Sequence, residues 1–159
     1  MTAAEKPRVV FDTMLFLQAV GSGRGAAYAA LRRFEAGEFR LFVSRETLEE
    51  VRDVLSRPEI RRKLSLLTDE RVDALIGLVE NRATLVDPVP RRVSYERDPK
   101  DEPVLNLAIE AKAHYLVTRD NDLLDLMKEN DPDGNALRGQ ITGLTILEPG
   151  AFLAALTLG

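Results

Sequence analysis

Cysteine is absent from this chain, and histidine occurs once, as His114. Without thiols there are no disulfides, no iron–sulfur clusters and no thiolate zinc sites. With a single imidazole a multi-histidine metal centre is excluded, and a Ser-His-Asp triad has little to build on. No apolar run approaches the ~18 residues that a membrane-crossing helix needs. The opening "MTAAEKP" lacks the apolar core of a signal peptide, so the expectation is a cytoplasmic protein without membrane contacts, with residues 1–7 as a loose tail. An excess of basic charge is missing too: 22 Lys and Arg face 26 Asp and Glu, a formal net charge of −4. That argues against a broad nucleic-acid-binding coat, but it leaves room for a local basic path around an acidic centre. The glycine-rich "GSGRG" (21–25) is not followed by Gly-Lys-Ser/Thr, so it is no phosphate-binding P-loop and reads as a flexible turn.

What the chain does contain is enough apolar material for one core: 159 residues, 45% hydrophobic and 30% charged. Four short apolar segments read as buried strands, "RVVFD" (8–12), "RLFVS" (40–44), "HYLVT" (114–118) and "LTILEP" (144–149). Helical patterns alternate with them at 25–38, 68–83, 101–113, 120–130 and 150–156. Another helix opens at Ser44, a natural N-cap, and Pro58 is expected to close it. The polar stretch 128–140 reads as a surface loop. Alternating strands and helices predict a three-layer α/β/α sandwich around a central, mostly parallel sheet, one domain over residues 8–157.

In such sheets the ligand crevice lies at the carboxyl ends of the strands, where the strand order reverses. Asp12 closes the first strand and interrupts an apolar run, a costly place for an unpartnered carboxylate. Asp120 and Asp122 follow the third segment, and Asp101 opens the helix that leads into it. On the helix after Ser44, Thr47, Leu48, Val51, Val54 and Leu55 form the apolar face. Glu50 lies roughly 100° from its centre, whereas Glu46 and Glu49 lie roughly 140–160° away and face solvent. Carboxylates gathered in one crevice repel and raise one another's pKa, a conflict that a divalent cation removes. Oxygen-only ligands select hard ions, Mg²⁺ or Mn²⁺, and the matching chemistry is phosphoryl transfer.

The blocks "VVFDTM", "SRETLEEV", "RDPKDEPVLNLAIEA" and "HYLVTRDNDLL" together resemble a PIN domain, the ribonuclease fold of VapC-like toxins, over residues 8 to about 153. The third and fourth blocks look closest to the toxin-antitoxin PIN group. The resemblance implies Asp12, Glu50, Asp101 and Asp120 as the catalytic acids, with Asp122 as a further metal ligand. It also implies Mg²⁺- or Mn²⁺-dependent cleavage of RNA, a homodimer, and a cognate antitoxin that fills the site. Thr13, Thr118 and Arg119 are the candidate substrate contacts. The first block departs from the family pattern, because Met14 stands where Asp-Thr-Asn would place an amide.

Competing readings attach to the same residues. Asp101 and Asp120 also suit helix N-caps, and Asp98, Glu102, Asp122 and Asp125 suit caps or solvated positions. The basic runs at 32–33, 61–63 and 91–92 suit solvated faces or a path for a phosphate backbone. A PIN-like module that binds RNA or protein without catalysis is the main alternative, which Met14 favours. A phospho-accepting receiver domain ranks last, since no lysine lies beyond Lys128.

Overall fold

In the computed structural model, which describes residues 5–158, the chain begins with strand β1 (Arg8–Phe11) and helices α1 (Thr13–Ser22) and α2 (Gly25–Glu35). Strand β2 (Arg40–Ser44) leads into helices α3 (Arg45–Ser56), α4 (Pro58–Lys63) and α5 (Asp69–Arg82), then strand β3 (Thr84–Val86). A long irregular segment ends in a 3₁₀ turn, Pro99–Asp101, before helix α6 (Glu102–Glu110) and strand β4 (Tyr115–Val117). Helices α7 (Asn121–Leu124) and α8 (Pro132–Gln140), strand β5 (Thr145–Leu147) and helix α9 (Pro149–Leu158) complete it. Of the tail expected at residues 1–7, residues 1–4 lie outside the described residues.

The strands pair in parallel in the order β3-β2-β1-β4-β5. Val9 lies opposite Leu41 on one side and Tyr115 on the other, so β1 is central. Because side chains alternate across a sheet, each strand feeds both faces. Val9, Phe11, Leu41, Val43 and Val117 join a core with α1, α2, α3, α5 and α9; Val10, Phe42, Leu116 and Ile146 join another with α6, α7 and α8. Rings of Phe11, Phe39, Tyr115 and Phe152 stack edge-on or tilted within the first core. The expected α/β/α sandwich is therefore present, with every strand pair parallel. Among the described residues no helix is long and apolar enough to cross a membrane.

Several elements depart from the expectation for identifiable reasons. β3 is a three-residue edge strand, half exposed, too short to carry an alternation. α1 is buried at Leu15, Phe16, Leu17, Ala19 and Val20, so it has no polar stripe to announce a helix. Pro58 ends α3 as expected but also starts α4, where its missing N–H is no loss. The supposed loop at 128–140 contains α8, capped by the Asp131 carboxylate on the Gly134 N–H (2.9 Å). Gly134 is needed there: a Cβ would collide with the Leu126 carbonyl oxygen.

Candidate active site

Strand order reverses between β1 and β4, and the residues that end these two strands open onto one crevice. Asp12 follows β1 immediately, and its N–H donates to the Val117 carbonyl (3.0 Å), which ties the two strand ends together. Beneath the crevice, Thr118 is fully buried. Its hydroxyl donates to Asp12 Oδ2 (2.9 Å) and accepts the Asp120 N–H (3.0 Å), so one side chain sets the spacing of two acids. Asp120 in turn caps α7 by accepting the Asp122 N–H (2.9 Å).

The third wall is the turn before α6. The Asp101 N–H donates to the Asp98 carbonyl (3.0 Å), which folds "DPKD" back on itself. Oxygen atoms of Asp98, Asp101 and Asp120 lie within 4.8 Å of one another. Asp101 is only 8% exposed, its side chain caps nothing, and its Oδ2 is buried with no hydrogen-bond partner. The fourth wall is α3, where Glu50 is exposed at the cleft edge and accepts a hydrogen bond from the Thr13 hydroxyl (3.3 Å). The cleft encloses about 380 Å³ and is also lined by Met14, Gln18, Lys100 and Arg119.

The electrostatics follow from this crowding. Burial, and then the neighbouring Asp120 carboxylate, push the Asp101 carboxyl up to about 8, with Asp98 and Asp12 adding to the effect. Burial also raises Asp12, against the lowering effect of the Thr118 hydroxyl and the Met14 backbone. A buried carboxylate oxygen without a donor is costly, and a cation is the one partner that satisfies several such oxygens together. The donor set is oxygen alone and fits a hard divalent ion.

The sequence candidates distribute unevenly. Asp12, Thr13, Glu50, Asp101, Arg119 and Asp120 line the one cleft. Thr118 is too deeply buried to meet a substrate; its hydroxyl is occupied by Asp12 and Asp120. Asp122 is not among the lining residues, and its carbonyl accepts the Tyr95 hydroxyl. Glu46 and Glu49 lie along other grooves, as the helix angle predicts. Asp98 suits a cap or a solvated position by sequence, yet it belongs to the cluster. The available signal was its spacing from Asp101, three residues across a proline-started turn, which brings both carboxylates to one side. His114 lies at the other end of β4, its Nδ1 accepting the Arg8 N–H (2.9 Å).

The family model of the PIN domain matches residues 8–122, from β1 to the first turn of α7, and so spans every acid of the cleft. This chain belongs to the PIN domain family. No curated protein and no solved structure matches it. PIN domains are in general metal-dependent nucleases acting on nucleic acid, and the acidic cleft of this PIN domain fits a divalent metal site.

Proposed function

We propose that this PIN domain is a Mg²⁺- or Mn²⁺-dependent endoribonuclease, and that Asp12, Asp98, Asp101 and Asp120 hold the ion. The observation that carries the reading is the buried, unpartnered Asp101 Oδ2 among like charges at the strand-order reversal. Asp98 takes the place first expected of Asp122, which does not line the cleft. When bound, the ion supplies an activated water and a counter-charge for the phosphodiester. Glu50, steadied by the Thr13 hydroxyl, accepts the proton of the attacking water. Arg119, at the rim and hydrogen-bonded to Gln18 (3.0 Å), contacts a phosphate of the RNA.

The further assignment, toxin of a toxin-antitoxin pair acting as a homodimer in the cytoplasm, rests on the likeness of the four sequence blocks. An antitoxin that fills the cleft would inhibit by covering these acids. The functional unit in this reading is residues 8–157. A second reading, a binding module without catalysis, is favoured by Met14, which is 44% exposed at the cleft and offers no amide.

The test is the initial rate of cleavage of an unstructured RNA across a Mn²⁺ titration, for the wild type and Asp12→Asn. The nuclease reading expects metal-dependent cleavage that Asp12→Asn abolishes. RNA binding without cleavage at any metal concentration favours the module.

A further inference from the structure

Two cationic side chains line the acidic cleft, Lys100 and Arg119. Arg119 is engaged by Gln18, but Lys100 has no ion-pair partner among the described residues although it sits between Asp98 and Asp101 in sequence. Its neighbours behave otherwise. Arg97 is bound to Asp131 and Asp133, and Arg91 to Glu102. A lysine gains by pairing with a nearby carboxylate only what solvent screening leaves, and little holds this long chain in place unless a ligand does. Its Cα, by contrast, is fixed by the 3₁₀ turn that positions the acids.

We propose that Lys100 is a substrate-binding residue, contacting a backbone phosphate of a single-stranded nucleic acid next to the phosphate held at the acid cluster. The inference rests on the nuclease reading of the cleft and adds to it the group that offsets the negative wall against an anionic substrate. An acidic crevice repels a polyanion, so a cation at its mouth gives the strand a foothold before and during cleavage. The compact ammonium suits a phosphate as a point charge, without the fixed fork that arginine imposes.

The experiment is fluorescence anisotropy of a short labelled oligouridine with the full chain in Ca²⁺, over a series of salt concentrations. Wild type, Lys100→Gln, Lys100→Arg and Lys6→Ala are compared. Lys6 is the control because it lies at the amino end of β1, near Gly37 and away from the cleft. Each phosphate contact with a single strand contributes about 0.7 to the slope of log Kobs against log salt. Lys100→Gln is expected to weaken binding several-fold and to flatten that slope by about this amount. Lys100→Arg restores the slope, and Lys6→Ala leaves it as in the wild type.

An unchanged slope in Lys100→Gln overturns the proposal while leaving the nuclease reading intact. A slope that falls as expected in a protein that never cleaves with Mg²⁺ or Mn²⁺ keeps Lys100 as a contact and removes the nuclease. Absence of oligouridine binding by the wild type overturns both. An unchanged slope together with a larger Mg²⁺-induced rise in melting temperature for Lys100→Gln also overturns it, because the lysine then acts as an internal counter-ion to the acids.

Discussion

Two clusters of aspartates lie on either side of one short segment, and they are handled in opposite ways. Arg97 bridges Asp131 (2.6 Å) and Asp133 (3.2 Å), while Asp131 also caps α8 through the Gly134 N–H. The guanidinium holds the Asp131 carboxyl below its ordinary range. One residue later in the chain the pattern inverts. Asp98, Asp101 and Asp120 converge without an ion pair to any Lys or Arg among the described residues, and the Asp101 carboxyl is pushed up to about 8. The same residue type closes a helix in one place and stores an electrostatic conflict in the other. Folding alone explains the first cluster. The second is a cost to the folded chain that an arriving ion removes, which is the signature of a site rather than of a scaffold.

Removing one acid from each cluster separates the two roles. Asp101→Asn is expected to abolish metal-dependent cleavage, a loss beyond the roughly 10–100-fold typical of outer contacts. Cleavage rates under saturating Mn²⁺ measure it, and a variant retaining more than a tenth of the activity would place the ion elsewhere.

Met14→Asn comes next in size. Met14 is 44% exposed, so little packing is lost, and an amide there would steady Asp12 or a bound water. The expected gain is about 10-fold in rate or metal affinity, the lower end of what such contacts give. If the mutant is no better at any Mn²⁺ concentration while the wild type already cleaves well, the amide is dispensable in this chain.

The raised pKa of Asp101 predicts how stability varies with pH when a chelator is present. Between its unfolded pKa near 3.8 and its folded pKa of about 8, the folded state binds more protons than the unfolded one. Stability therefore falls as pH rises through that window. Thermal melts from pH 5 to about 9 in chelator should show a decline that Asp101→Asn flattens. Identical slopes for the two proteins would mean that the carboxyl is not strained.

Asp131→Ala is the matched change in the other cluster. Losing the cap and the Arg97 pair should lower the melting temperature by a few degrees, with the metal-induced rise unaltered. Glu49→Gln, on the far side of α3 from the cleft, should change neither.

Much of this was legible in the residues. Asp12 between two apolar runs, and Asp120 after "HYLVT", could be assigned to the crevice from strand ends alone, because the parallel fold dictates where those ends meet. Glu50 followed from its angle on an amphipathic helix. What stayed hidden depended on longer-range contacts. Thr118 looked like a substrate contact because burial beneath the cleft is a tertiary property. Asp122 looked like a ligand by proximity in sequence, but the turn of α7 takes it out of the lining. Asp98 is the exception, because its contact with Asp101 is local: a three-residue spacing across a proline-started turn also suits an ordinary cap or solvated acid, so the signal was present but ambiguous. The helix α8 was masked by glycines, of which Gly134 is demanded by the Leu126 carbonyl rather than by helix propensity.

The central claim, that the clustered acids form a metal site, is tested most directly by calorimetric titration of Mn²⁺ into the chelator-stripped protein, wild type beside Asp101→Asn. A metal site built on Asp101 gives saturable binding to the wild type, a matching rise in its melting temperature, and neither in the mutant. Binding of equal strength to both proteins, or melts that overlay with metal and with chelator, would contradict it.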